Sequence, residues 1–340
     1  MLSVLHVTEA TGAGVMSAID SYRHSTPQLD HHVLTLRMRQ HPDDLAAEDG
    51  ISTINAVRSA APGQINHIAK RLGCDVVHAH STIAGLLSRV AWPSPPIVYT
   101  PHCFAFQRTM RPAGQRALWA LEKAASRRTA LFAACSASEA AICREICHDK
   151  VPVIHVPHAI DVREFSVKND DPAVVRIAMA GRICAQKDPE FFVDVVEAVR
   201  RRAVIDAVWI GDGDDLGRRL LEAAGIRVTG WLDTIDAEME QVDIYVHSAA
   251  WEGEALTPLE AAGAGVPVVM RARPGSPAYR YAVGATTAQD CADVVVTMFD
   301  TSARWAAAER GVQAVRDEYT ESAQATALLA AYEGAVAGRT

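Results

Sequence analysis

Short apolar runs alternate with helix-length segments from one end of this 340-residue chain to the other, and that alternation constrains the fold more than any other feature. Runs at residues 4–7, 32–36, 76–80, 97–100, 131–135 and 153–156 have the length and side-chain types of buried strands. Further runs follow at 176–180, 207–210, 227–229, 244–247 and 266–270. Between them stand stretches such as 114–129, 137–147, 189–202, 215–224 and 256–265, each long enough for a helix. Such a pattern predicts an α/β fold of parallel sheets with helices on both faces.

The pattern is interrupted around residues 161–172, where Glu164, Lys168, Asn169, Asp170, Asp171 and Pro172 form a polar connector before a fresh strand begins. Two doubly wound, Rossmann-like domains are therefore expected, residues 1–165 and 166–318, each long enough for its own core. Residues 320–336 read as one amphipathic helix with an Ala and Leu stripe. The formal charge of −8 argues against a nucleic-acid binder, which needs a basic face for phosphate. No basic leader precedes the first strand and no run of apolar residues is long enough to span a bilayer, so a cytoplasmic protein is expected. Seven cysteines without paired spacing read as free thiols in a reducing compartment. Cys143, Cys147 and nearby His148 make only a weak metal set. Basic residues that are mostly Arg, with abundant Ala, suggest a GC-rich bacterial genome.

Three glycine-bearing turns follow expected strands: Gly12 and Gly14, then Gly181, then Gly211 and Gly213. Glycine lets backbone N–H groups approach a phosphate, and a following helix N-terminus favours the anion. Neither the first nor the third completes a dinucleotide fingerprint, because Ser17 and Leu216 stand at the third glycine positions, so a dehydrogenase is disfavoured. The second turn adds Arg182, a planar fork, and Lys187, a compact point charge, which together suit a diphosphate. The alternative is a pair of surface cations, with Lys187 bridging Asp188 or Glu190.

Glu252 and Glu260 stand eight residues apart in a segment running from Trp251 through Gly253, Glu254, Ala255 and Leu256 to Val269. Glu252 falls in a loop before the expected helix and Glu260 inside its first turns. A loop carboxylate there can accept hydrogen bonds from sugar hydroxyls, beside backbone N–H groups able to hold phosphate. Thr257, Pro258 and Glu260 also fit a helix-capping box, a purely structural alternative.

This string resembles the E-x7-E motif of the family-4 retaining glycosyltransferases, whose fold is GT-B, and its end resembles their usual LEAMACGVPVV. Gly181, Arg182, Lys187 and Asp188 are similar to the family's GR…KD loop, and Gly211-Asp212-Gly213 to its GDG. Gly230 and Trp231, and then Asp243 to Ser248, match two further family segments; His78, His80 and His102 match its DvvHaH and TxH strand ends. Pro157 to Asp161 stands where the family has xNGVD.

The resemblance implies two Rossmann-like domains separated by a cleft, with residues 319–340 crossing back to the first. It implies retaining transfer from a nucleoside-diphosphate sugar, bound by the second domain, to a hydroxyl acceptor held by the first. Arg182 and Lys187 would neutralise the leaving diphosphate, Glu252 would hold the sugar and Glu260 the ribose, and Trp231 would lie in the nucleotide site. Backbone amides at Gly12–Gly14 and Gly253–Leu256 would add donors, and His102 would face the cleft. No acidic pair presents a metal site, with Asp212, Asp214 and Asp215 the nearest, so metal independence and no cofactor beyond the donor substrate are expected. The usual EGFGL reads Glu252-Gly253-Glu254-Ala255-Leu256, placing an extra carboxylate at the sugar site, and the loop at 280–286 is short.

Several residues lie outside that scheme. His78 and His80 share one face of a strand without an evident third ligand, which favours a structural or site-lining role. Arg271, Arg273 and Arg280 have no assigned role. Cys184 stands within the cationic turn, where a thiol can be reactive. Arg108, Arg111, Arg116, Lys123, Arg127 and Arg128 surround a single Glu122, with Leu118, Trp119 and Leu121 interleaved. Such a basic amphipathic helix suits an anionic partner, a membrane surface or a phosphorylated acceptor; the alternative is an ordinary helix with solvated arginines. Rival functions are a GT-B sugar-nucleotide epimerase, revealed by turnover without acceptor, and a non-catalytic sugar-nucleotide-binding protein.

Overall fold

The computed structural model describes residues 1–9, 13–36, 53–56, 62–90, 95–162, 174–272 and 279–338. It divides into two units, Met1–Ala159 with Glu321–Thr340, and Ile160–Thr320. The first holds strands β1 (Ser3–Thr8), β2 (Asp30–Leu36), β3 (Thr53–Ala56), β4 (Val76–His80), β5 (Ile97–Thr100), β6 (Leu131–Ala134) and β7 (Val153–His155). Its helices are α1 (Ala13–Ser25), α2 (Pro62–Leu72), α3 (Thr82–Val90), α4 (Pro112–Ser126) and α5 (Ala137–Cys147). The sheet order is β3-β2-β1-β4-β5-β6-β7, and every pairing is parallel.

The second unit holds β8 (Val175–Ala180), α6 (Pro189–Arg200), β9 (Ile205–Ile210), α7 (Asp215–Ala223), β10 (Arg227–Val228), α8 (Asp236–Met239) and β11 (Ile244–His247). It continues with α9 (Leu256–Gly263), β12 (Val268–Arg271), β13 (Val283–Ala285), α10 (Ala288–Thr297) and α11 (Thr301–Glu318). Its parallel sheet runs β10-β9-β8-β11-β12-β13. The last helix, α12 (Glu321–Ala337), belongs to the first unit and packs against α1 and β6. Gln324 ties it there, accepting from Ser21 Oγ at 2.8 Å and donating to the Pro157 carbonyl at 2.8 Å.

Both sheets reverse strand order once, between β1 and β4 in the first unit and between β8 and β11 in the second. Loops leaving a sheet diverge at such a point, opening a crevice beyond the strand C-termini where α/β proteins bind ligands. The strands are sandwiched, so side chains on both faces are buried. In the first unit Leu5, Val77, Tyr99 and Phe132 face one layer, while Val4, Val76, Val98 and Leu131 face Tyr22 and Tyr332 of α1 and α12. In the second, Trp209 is fully buried edge-on to Phe192, with ring centroids 5.6 Å apart, and donates from Nε1 to the Gly181 carbonyl at 2.9 Å. Helix starts are set by local chemistry: Ser136, Asp188, Asp214, Thr287 and Asp300 accept backbone N–H groups in the first turns of α5, α6, α7, α10 and α11.

The basic segment around α4 packs as an ordinary amphipathic helix. Trp119 meets Phe106 edge-on at 4.9 Å between ring centroids, and Leu118 packs on the core. Glu122, its one acidic residue, points inward and is fully buried against Arg89 at 2.7 Å, with Tyr99 donating its hydroxyl at 3.2 Å. Arg108, Arg111, Arg116, Lys123, Arg127 and Arg128 are exposed, as is Leu121, so every charged side chain on the outer face is basic. Among the described residues, no helix is long and apolar enough to cross a membrane.

Candidate functional site

In the second unit, four loops leave the C-terminal ends of adjacent strands. The loop after β8 carries Arg182 and Lys187, that after β9 carries Asp212 and Gly213, that after β10 Trp231, and that after β11 Glu252. The first two pair with one another. Ile183 bridges Gly213, and a Cβ on Gly213 would fall 2.0 Å from the Ile183 carbonyl oxygen, so only glycine permits this approach. Gly211 bridges Gly230. Gly181 adopts φ 146°, and a Cβ there would come within 2.9 Å of Lys187 Cε. These glycines thus shape the loops that carry the cations, in addition to any role as phosphate donors.

At the β8/β11 reversal, Lys187 Nζ donates to Glu252 Oε1, and Gln186 Nε2 donates to Glu252 Oε2 and to the Trp251 carbonyl, each at 3.1 Å. His247 Nε2 lies 3.7 Å from the same carboxylate. Burial alone would raise the Glu252 carboxyl, but the Lys187 charge and the His247 contact outweigh it and hold the pKa at about 2. His247 is buried, and burial lowers its pKa against the pull of Glu252, so it stays neutral. Glu252 is therefore an ionised, acceptor-only group 18% exposed at the crevice, suited to hydroxyl donors.

The surrounding groups fix this pair in place. Ser248 Oγ donates to the Lys187 carbonyl at 2.5 Å. Lys187 bridges neither Asp188 nor Glu190; Asp188 instead caps α6 and takes Arg271 Nη1 at 2.5 Å. The Arg271 guanidinium lies 4.0 Å over the Phe191 ring, which gives that cation a packing role. Arg280 pairs with Glu318, and Arg273 lies outside the described residues. Arg182 is exposed and, among the described residues, has no hydrogen-bonding or ionic partner. It can swing onto an anion without breaking any bond.

The capping-box alternative for Glu260 does not hold. Helix α9 starts at Leu256 with Ala255 at the N-cap and no side-chain cap, so Thr257 and Glu260 lie too far along it. Thr257 Oγ1 bonds the Tyr245 hydroxyl at 2.9 Å instead, and Glu260 is exposed. Glu254, the extra carboxylate, accepts from the Tyr281 hydroxyl at 3.2 Å. Trp231 is 69% exposed beside the Gly230–Gly211 bridge, and Cys184 is half-buried. Asp212 is paired with Arg218 at 2.7 Å and Asp214 caps α7, so both carboxylates are already in use.

The first unit gathers its chemistry at the β1/β4 reversal. His6 on β1 sits in register with His78 on β4, and its ring joins those of His78 and His80. The third ring that sequence spacing lacks therefore comes from β1, and these three residues have the spacing of a metal set. His102 follows β5 at φ 48°, between strands and helix in a left-handed turn shared with Cys103 at φ 78°. Buried Glu139 holds that turn, accepting from Cys103 N at 2.8 Å and Cys135 N at 2.9 Å. Burial, with His158 adding to it, lowers the His102 pKa to about 3, so the ring is neutral. Gly14 lies in the first turn of α1 with open space around it, while Gly12 lies outside the described residues.

With this geometry in view, comparison with known proteins is decisive. Residues 29–164 match the model "Glycosyltransferase Family 4", and residues 175–301 match "Glycosyl transferases group 1". The chain belongs to the group 1, family 4 glycosyltransferases. It is 27% identical over 234 residues to the Escherichia coli UDP-Gal:α-D-GlcNAc-diphosphoundecaprenol α-1,3-galactosyltransferase, a match covering 60% of this chain and 59% of that enzyme. Among solved structures it is similar to sucrose-phosphate synthase from Thermosynechococcus elongatus, with TM-score 0.76, 14% identity and 99% and 100% of the two chains covered. It is also similar to Anabaena HepE in complex with UDP-glucose, with TM-score 0.73, 14% identity and 97% and 100% covered. These likenesses establish the GT-B fold for this glycosyltransferase.

Proposed function

We propose that this glycosyltransferase moves a hexose from a UDP-sugar to a hydroxyl acceptor, retaining the anomeric configuration and using no metal. The observation that carries the reading is the Lys187–Glu252 pair at the β8/β11 reversal, with Arg182, which has no partner among the described residues, on the same loop as Lys187. A departing nucleoside diphosphate gains negative charge in the transition state, and preorganised cations stabilise that charge more than the ground state. Lys187 and Arg182 take the diphosphate, Glu252 accepts from sugar hydroxyls, and Glu260 binds the ribose. Exposed Trp231 and the Gly211–Gly213 loop flank the base, and the Gly253–Leu256 backbone adds donors at the uncapped start of α9. UDP is favoured because the Escherichia coli relative uses UDP-Gal and HepE holds UDP-glucose.

The first unit, with His102, receives the acceptor. A lipid-linked acceptor is favoured by the basic outer face of α4, which would bring the protein to an anionic membrane at the cytoplasmic side, and by the diphosphoundecaprenol substrate in that relative's name. The test is product analysis with UDP-hexoses and a polyprenyl-diphosphate sugar acceptor, with EDTA present. An α-linked product from an α-linked donor supports the reading. Inverted product, loss of activity in EDTA, or donor turnover without acceptor would each overturn the corresponding part of it.

A further inference from the structure

Four histidines in the first unit form one continuous hydrogen-bonded chain, on the sheet face covered by α1 and α12. His102 Nε2 lies 3.0 Å from His80 Nδ1, His80 Nε2 lies 3.0 Å from His6 Nδ1, and His6 Nε2 lies 3.0 Å from His31 Nδ1. At the far end, His31 Nε2 reaches the Thr26 carbonyl and the Thr26 hydroxyl, each at 3.1 Å. The Thr26 hydroxyl gives its proton to the Tyr22 carbonyl at 2.7 Å, so both groups facing His31 Nε2 can only accept.

That end sets the polarity of the whole chain. His31 must carry its proton on Nε2, leaving Nδ1 to accept from His6. His6 then donates from Nε2 and accepts at Nδ1, and His80 does the same. His102 must in turn donate from Nε2, so its Nδ1 carries a bare lone pair. Among the described residues that nitrogen has no protein partner. Burial depresses His6 and His80 well below the usual histidine range, and His102 to about 3, so the rings hold one proton each at neutral pH.

A metal ion is a poorer occupant of this cluster. Both nitrogens of His6 and His80 are taken within the chain, and those of His78 bond the Tyr332 hydroxyl at 2.9 Å and Thr100 Oγ1 at 2.8 Å. Coordination by His6, His78 and His80 would break these bonds.

We propose that His31, His6 and His80 are positioning residues whose chain locks His102 as its Nε2–H tautomer, aiming the Nδ1 lone pair to accept a hydrogen bond from a substrate hydroxyl. The lock would act as a carboxylate or carbonyl does behind a functional histidine, fixing tautomer and ring direction. It rests on the reading that His102 meets substrate, whereas the tautomer itself does not.

Nitrogen-15 NMR of histidine-labelled protein, with peaks assigned by single substitutions, reads the tautomers without any substrate. The expected result is an unprotonated Nδ1 on His102, His80, His6 and His31. A proton on His102 Nδ1 would overturn the proposal whatever the enzyme transfers. Kinetics supply the second arm. His31→Phe removes the terminal acceptor and should lower kcat/KM roughly ten- to hundredfold, the usual loss when a group orienting a functional histidine is removed. His31→Asn places an amide oxygen near the Nδ1 position and should recover most of that loss. His78→Gln, which disturbs the same packed cluster without removing a hydrogen bond of the chain, should keep the His102 tautomer and most of the activity. Equal losses in His31→Phe and His78→Gln, with the NMR pattern unchanged in both, would show a merely structural role. A rise confined to the donor KM places the hydroxyl on the sugar nucleotide, and one confined to the acceptor KM places it on the acceptor.

Discussion

Replacing Glu252 by Gln keeps the side chain's size and removes its charge, so it isolates the electrostatic contribution of the Lys187 pair. The carboxyl is held at about 2 against an ordinary 4.5, chiefly because the Lys187 attraction overcomes the burial penalty. A displacement of that size corresponds to about 3 kcal/mol of stability at pH 7. Because the folded pKa lies below the unfolded one, this contribution is complete above pH 4.5 and fades as the pH falls toward 2. At pH 3 less than half of it should remain by the same linkage. For a unit of this size, about 3 kcal/mol corresponds to a fall in Tm of roughly 6–12 °C. Scanning calorimetry of wild type and Glu252→Gln at pH 7 and at pH 3 tests the reasoning, with the gap between the two proteins expected to narrow in acid. Equal stabilities at pH 7, or a gap that does not change with pH, would refute it. Transfer should be lost in the variant at every pH, since the ionised group proposed to accept from the sugar hydroxyl is gone.

Arg182→Ala should weaken UDP binding at least tenfold by calorimetric titration while leaving Tm unchanged, because the side chain is exposed and unpartnered among the described residues. Arg89→Met should cost about 3–5 kcal/mol in chemical denaturation by stranding buried Glu122, and Arg89→Met with Glu122→Leu should recover most of it. Gly213→Ala forces a methyl to 2.0 Å from the Ile183 carbonyl, so denaturation should show a loss of about 1–3 kcal/mol and UDP affinity should fall with it. Charge reversal of Arg116 and Lys123 on the outer face of α4 should abolish sedimentation with phosphatidylglycerol vesicles while sparing transfer to a soluble acceptor.

The strands were readable because parallel strands buried on both faces are nearly unbroken apolar runs, as in Val4 to Val7 and Ile244 to His247. Thr53–Ala56 and Val283–Ala285 escaped that reading, since they are short edge strands of three or four residues, one with a central glycine. The donor-side residues were legible as a string, but their pairing was not. Lys187 and Glu252 stand 65 positions apart, and only the strand reversal brings their loops together. Sequence spacing equally offered Asp188 and Glu190 as partners for Lys187, until Arg271, 83 positions from Asp188, claimed that carboxylate. His6 carried no local signal at all. A single histidine in a buried strand becomes meaningful only once the β1–β4 register sets it beside His78. Aligning the first two crossing strands as a parallel pair would have found it.

The central claim is that the second unit binds the nucleoside diphosphate of a sugar donor through the loop cations after β8. Titration of the folded protein with UDP, followed calorimetrically for wild type and for Lys187→Ala, tests it most directly. Saturable one-to-one binding by wild type, weakened at least tenfold in the variant, is the predicted result. Equal affinity in both proteins, or no binding by either to UDP, ADP or GDP, would contradict it.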